Sequence, residues 1–185
     1  MKKELFSIPN LMGYFRIIMI PVFLVLYYHA ATPADYTKAF VILAISMLTD
    51  LFDGKIARKF HMETELGKAL DPIADKLTQF SLAIAATLHY PLMIVLVVFF
   101  FLKELYMGLM GLYLKKKKNV WNGAKWFGKI STGILDVGVF ALLLFPKIPP
   151  QVATIIILIM LASMAYSQLR YMMLHASILK EGKTV

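Results

Sequence analysis

The sequence predicts an all-α integral membrane protein: a six-transmembrane-helix bundle preceded by a short juxtamembrane amphipathic helix. Three observations carry that reading. Hydrophobic residues make up 59% of the 185 and charged residues 17%, whereas a soluble domain is about half apolar and about a quarter charged. Apolar runs recur at 11–29, 38–57, 69–88, 91–114, 127–145 and 151–174, each close to the ~20 residues that cross a bilayer as a helix. Lys and Arg are concentrated in alternate connections, the asymmetry expected of a multi-pass protein.

Each element follows from its own residues. "KKELFSIPNLMGYFR" mixes Lys2, Lys3 and Arg16 with Leu5, Phe6 and Ile8, a composition suited to a helix lying on the inner membrane surface. Pro9 and Asn10 are then expected to turn the chain into the membrane. Arg16 interrupts the following run and further spans come after it, so the segment is expected to be retained, unlike a cleaved signal peptide. "ATPADYTK" makes the turn into 38–57. The third run, 69–88, carries Pro72 in its early turns, where few N–H donors are missed. The fourth ends in Lys115 to Lys118, a positive-inside anchor. Trp121 and Trp126 fall in the next inner loop, at the headgroup level that indole favours. "PKIPP" separates the last two runs. With both termini cytoplasmic, the outer turns hold only Lys38 and Lys147.

Composition also excludes chemistry. There is no cysteine, so thiol catalysis, disulfides and thiolate metal sites are absent, and any metal must be held by oxygen or imidazole. The net charge of +9, on a chain this apolar, reads as a basic cytoplasmic face against anionic lipid, with no nucleic-acid partner. No repeat or linker divides residues 1–185, which are expected to form a single domain. "GAKWFGKI" imitates a phosphate-binding loop, but Ile130 stands where Ser or Thr is required and no strand precedes it. Gly108 and Gly111 read as small-residue helix packing, and the 12 methionines as adaptable packing.

Four aspartates remain to be explained, Asp50, Asp53, Asp71 and Asp75, in runs where charge is expensive. On a helix Asp50 and Asp53 project about 60° apart, and Asp71 and Asp75 about 40° apart. Gly54 and Ala57 share the first stripe, and Gly67 precedes the second by about one turn. The connection 59–66 is short enough to make the two helices antiparallel neighbours. The four carboxylates are then expected to meet as facing pairs near the inner surface. Such a cluster repels itself unless protonated or given a cation. With oxygen ligands the cation is Mg²⁺ or Mn²⁺, and four carboxylates suffice for two ions. Two such ions clamp a phosphoryl group between attacking and leaving oxygens. Glycine beside the acids admits a bulky anion, and Arg58 offers a planar fork for phosphate. The competing reading is an ion-coupled transporter, whose acids more often sit near the midplane.

The pattern Asp50-x-x-Asp53-Gly54-x-x-Ala57-Arg58, eight residues, Gly67-x-x-x-Asp71-x-x-x-Asp75 resembles the signature of the CDP-alcohol phosphatidyltransferases at every fixed position. "IPNLMGYFRIIMIP" resembles the start of the first helix in the phosphatidylglycerophosphate synthases of bacteria. The resemblance implies a six-helix inner-membrane enzyme, usually a homodimer, that takes CDP-diacylglycerol and an alcohol and releases CMP. It implies that Asp50, Asp53, Asp71 and Asp75 bind two metal ions, and that Asp50, Gly54, Ala57, Arg58 and Gly67 line the CDP site. Asp75 is implied as the base for the acceptor hydroxyl.

The acceptor is less firmly marked. Relatives tend to carry Thr at the position of Gly13, Arg at those of Lys103 and Gly111, and Lys and Gln at those of Ser131 and Leu135. Lys103, Lys125 and Lys129 are left to hold an anionic acceptor, with Lys76 and Arg170 as further candidates. Glycerol 3-phosphate is the expected acceptor, since "GKIST" keeps Gly128 and Lys129. Phosphatidylglycerol, giving cardiolipin, comes next, then inositol phosphate and serine. Glu104 and Asp136, lone acids in apolar runs, are expected to be internal polar ties.

Overall fold

The computed structural model describes residues 7–60, 62, 64–118, 123–145 and 148–181. Within its helices the side chains of residues 9, 50, 51, 53–58, 65, 68, 69, 118 and 181 are not described. Six helices are present among the described residues: α1 Ile8–Tyr28, α2 Pro33–Lys59, α3 Glu65–Thr87, α4 Met93–Lys118, α5 Trp126–Leu144 and α6 Pro150–Glu181. No strand occurs among the described residues. Among the described residues, four helices, α1, α4, α5 and α6, hold segments long and apolar enough to cross a membrane. The predicted all-α membrane class is the one observed.

The helices start and stop where capping places the ends, and several run beyond their apolar stretches. Pro9 and Asn10 do not form a turn: they are the second and third residues of α1, where proline's missing N–H would have no helical partner in any case. The surface helix predicted at the N-terminus falls on residues 1–6, outside the described residues, and on the start of α1. α2 begins at Pro33, ahead of the expected 38, because Thr32 and Asp35 cap it reciprocally. The Asp35 N–H donates to Thr32 Oγ1 at 3.3 Å, while the Thr32 N–H and hydroxyl donate to Asp35 Oδ2 at 3.1 and 2.7 Å. Pro33 occupies the first helical position between them. α3 begins at Glu65, so Pro72 lies inside the helix and not in its opening turn, depriving the Lys68 carbonyl of its usual donor.

The Thr32 cap makes a pH-dependent prediction. Hydrogen bonds from Thr32, then the Lys38 ammonium at 3.0 Å, hold Asp35 down from 3.8 to about 2. A depressed carboxylate contributes stability above its unfolded value, and that contribution is lost as pH falls from 3.8 through about 2. Carboxyl-carbon NMR should therefore give Asp35 a midpoint well below an ordinary aspartate. Thr32→Ala should move it back up; an unchanged midpoint would count against the cap.

The chain divides into two compact units, Met1–Ala85 and Ala86–Val185. In the first, α1 and α2 form a helical hairpin whose core is aromatic. Tyr27 meets Tyr36 edge-on at 5.2 Å and Phe40 at 6.0 Å, and Phe23 lies 6.5 Å from Phe40. In the second, α5 and α6 run antiparallel at close range. A Cβ on Gly138 would overlap the Met160 thioether, and one on Gly128 would overlap the Tyr171 hydroxyl. Glycine at these two positions lets the helix axes approach. α4 is tied to α6 by Tyr106 and His175, whose hydroxyl and Nδ1 lie 3.3 Å apart.

Candidate active site

The first unit brings the start of α1 against the start of α3. Two contacts stand in register. Thr64 donates its hydroxyl to Asn10 Oδ1 at 3.0 Å, and further along Arg16 meets Asp71 and Asp75. Residue numbers rise together along both helices, so α1 and α3 run in the same direction.

The Asn10 contact also accounts for Gly67. The Thr64 hydroxyl accepts the Gly67 N–H at 2.9 Å, capping α3 at its third position. A Cβ on Gly67 would come within 2.7 Å of Asn10 Oδ1 and 3.1 Å of Thr64 Oγ1, and Asn10 is buried, with 1% exposure. Glycine is required there by the approach of α1, whatever else the position binds.

Arg16, which the sequence places only among the basic residues of a surface helix, meets the acidic motif. It is 2% exposed, yet its guanidinium donates from Nη1 to Asp75 Oδ1 at 2.6 Å. Nη2 stands 3.6 Å from Asp71 Oδ1. Asp71 and Asp75, four apart on α3, are thus gathered by one planar fork, a geometry that lysine could not reproduce. Their carboxylates stay about half open, at 50% and 55% side-chain exposure. A buried cation thereby fixes two acids that face outward. A signal was available: a lone arginine in an apolar run must find an acid.

Asp50, Asp53, Gly54, Ala57 and Arg58 are backbone positions of α2, and their side chains lie outside those described. Whether Asp50 and Asp53 face Asp71 and Asp75 therefore lies outside the described structure. Among the described residues no group of three or more His, Asp or Glu converges on a metal position. The described donors are chemically suited to one. Asp71 and Asp75 are hard oxygen ligands with open faces on a single helical stripe, the kind that Mg²⁺ or Mn²⁺ takes.

The three lysines predicted for the acceptor lie in the second unit and differ in surroundings. Lys103 is buried and bonds Glu104 at 2.9 Å. Neighbouring residues on a helix point apart, but the lysine stem is long enough to bring its ammonium round. The Glu104 carboxylate thus has the Lys103 ammonium as a partner. Lys125 precedes α5, and its N–H donates to the Tyr171 hydroxyl at 3.0 Å. Lys129 is exposed one turn into α5. Among the further candidates, Lys76 lies 3.4 Å from Gln79 Oε1, and Arg170 stands over the Phe127 ring. Trp126 is the first residue of α5, not part of the loop, and Trp121 falls outside the described residues.

Comparison with known proteins bears on the same residues. The family model described as CDP-alcohol phosphatidyltransferase matches residues 6–177. The CDP-diacylglycerol–glycerol-3-phosphate 3-phosphatidyltransferases of Escherichia coli (strain K12), Shigella flexneri serotype 5b (strain 8401) and Shigella sonnei (strain Ss046) are each 38% identical over 85 residues. That stretch is 46% of this chain and 46% of each relative, so the chain matches these curated relatives over about half their length.

Proposed function

Because the chain belongs to the CDP-alcohol phosphatidyltransferase family, we propose that it transfers the phosphatidyl group of CDP-diacylglycerol to glycerol 3-phosphate, giving phosphatidylglycerophosphate and CMP. The observation that carries this reading is the acidic motif on α2 and α3, with Asp71 and Asp75 gathered by Arg16. Glycerol 3-phosphate is chosen because it is named in the activity of the relatives at 38% identity.

In this reading the diphosphate of CDP-diacylglycerol lies over Asp71 and Asp75, whose side chains are half exposed, and Asp50, Gly54, Ala57, Arg58 and Gly67 are assigned to the CDP site. Asp75 takes the proton from an acceptor hydroxyl. The oxygen attacks the phosphorus that carries diacylglycerol, its bond to the bridging oxygen breaks, and CMP leaves with the electron pair. Arg16 keeps the Asp75 carboxylate aimed while this happens. Asp50, Asp53, Asp71 and Asp75 would hold two Mg²⁺ or Mn²⁺ ions, whose charge offsets that of the transferring phosphoryl group. Of the three lysines, Lys129 has the exposed ammonium available to an acceptor phosphate. The protein would work in the inner membrane as a homodimer, with both termini and the acidic site on the cytoplasmic side.

An acceptor panel tests the substrate. Purified protein with CDP-diacylglycerol and Mg²⁺ is given glycerol 3-phosphate, phosphatidylglycerol, inositol phosphate or serine, and glycerol 3-phosphate should be used in preference. A cardiolipin product would transfer the reading to phosphatidylglycerol. Lys129→Ala should raise the KM for glycerol 3-phosphate about 10-fold or more, as expected on losing a charge-assisted hydrogen bond. The KM for CDP-diacylglycerol should barely move, and equal changes in both would remove Lys129 from the acceptor site.

A further inference from the structure

Between residues 5 and 34 of the sequence, Arg16 is the one Lys, Arg, Asp or Glu. The fold leaves it 2% exposed, and a cation so buried in an apolar run depends on an acid beside it. It finds two, Asp75 Oδ1 at 2.6 Å and Asp71 Oδ1 at 3.6 Å. Those carboxylates are also the described oxygen ligands that the proposed reaction assigns to a divalent ion. An arginine and an ion are therefore directed at the same pair of acids.

We infer that Arg16 is a resident counter-ion that competes with the divalent ion for Asp71 and Asp75 and holds down the ion affinity of the free protein, given the reading that these acids take an ion. The sign follows from charge, distance and burial. Two carboxylates and one guanidinium leave a single net negative charge, half of what the acids alone would present to an arriving ion. Coulomb repulsion falls only as the inverse of separation, and two cations that share the same carboxylates are close together. Burial keeps Arg16 from leaving for water, so its departure does not relieve that repulsion. Gathering of the two acids by Arg16 acts in the opposite direction. Asp71 and Asp75 are four apart on α3, however, and helical pitch already sets them on one face, so gathering is the smaller effect. In the ion-free protein the same contact offsets the repulsion between two carboxylates one turn apart. Arg16 thus keeps the motif together before an ion arrives and keeps the ion exchangeable afterwards.

Mn²⁺ binding, read by electron paramagnetic resonance on detergent-purified protein without substrate, tests the sign. Arg16→Gln removes the charge and keeps a hydrogen-bond donor for the acids. It should tighten Mn²⁺ binding by ~10-fold or more, the scale of one unit charge a few ångströms from the ion. Arg16→Lys keeps the charge and should stay within about threefold of the parent. Lys116→Gln, which removes an exposed lysine of the second unit, should leave the affinity unchanged, so a local effect is separated from one of surface charge. The parent protein supplies a second measurement that needs no glutamine variant to fold. The chain has three arginines, and the Arg16 guanidinium NMR signal, assigned by its loss in Arg16→Lys, should shift on adding Mg²⁺ and return on chelation. Unchanged or weaker Mn²⁺ binding in Arg16→Gln, or an Arg16 signal indifferent to saturating Mg²⁺, would overturn the proposal. Asp71→Asn separates it from the reading beneath it. Mn²⁺ affinity that falls in Asp71→Asn but ignores Arg16 overturns the competition alone. Mn²⁺ affinity indifferent to Asp71→Asn overturns the metal reading and the competition together.

Discussion

Asp75→Asn should lower CMP release by about 10²–10⁴-fold, the usual cost of removing a positioned general base. The substitution keeps the size of the side chain and an oxygen that can still accept from Arg16 Nη1, now 2.6 Å from Asp75 Oδ1. The side chain is 55% exposed, so little packing depends on its charge. The thermal midpoint should therefore change by no more than a few degrees while turnover collapses. Loss confined to kcat would place Asp75 in the chemical step; a change confined to the KM for either substrate would make it a binding residue. Activity within about tenfold of the parent would remove Asp75 from the role of base.

Arg16→Ala is expected to cost both stability and rate. Removing one partner of a fully buried ion pair costs about 3–5 kcal/mol. Here the arginine is buried but the two acids are half open to solvent, so about 1–3 kcal/mol is expected. Two carboxylates on one helical stripe would then lose the guanidinium that gathers them. Displacing Asp75 by even ~1 Å can reduce the rate by ~10². Arg16→Lys separates charge from geometry. It keeps the cation but cannot bridge both acids in one plane, so it should restore much of the stability and little of the rate. Full rescue of both by lysine would mean that Arg16 supplies charge alone. No effect of alanine on either would remove it from the site.

The helices were legible because apolar residues cannot be placed elsewhere at this density, and the observed elements contain nearly all of each predicted run. Their ends were less so. α2 starts at Pro33 because Thr32 and Asp35 satisfy one another's backbone groups, a polar device that hydropathy does not register. α6 continues to Glu181, past the last apolar residues of its run, since a helix needs only its own hydrogen bonds to continue once outside the apolar layer. The acidic motif could be read as a spacing, because residues on one helix have their geometry fixed by its pitch. Arg16 could be read only as a charge in need of a partner. Which acid it meets depends on α1 lying parallel to α3, and nothing local to residue 16 encodes that. The same holds for Lys125 and Arg170, which meet at one pocket only because α5 and α6 pack antiparallel. Lys103 meets Glu104 although neighbours on a helix point apart, because its side chain is long enough to override the spacing.

The most direct test of the central claim is the release of CMP from CDP-diacylglycerol by the purified protein with glycerol 3-phosphate, followed with and without Mg²⁺. The account predicts one CMP for each phosphatidylglycerophosphate formed, no product after chelation, and recovery when Mg²⁺ or Mn²⁺ is restored. Turnover that persists in full after chelation would contradict the assignment of the four aspartates to metal. Absence of CMP release with every alcohol, in protein that remains folded, would contradict the proposed transfer itself.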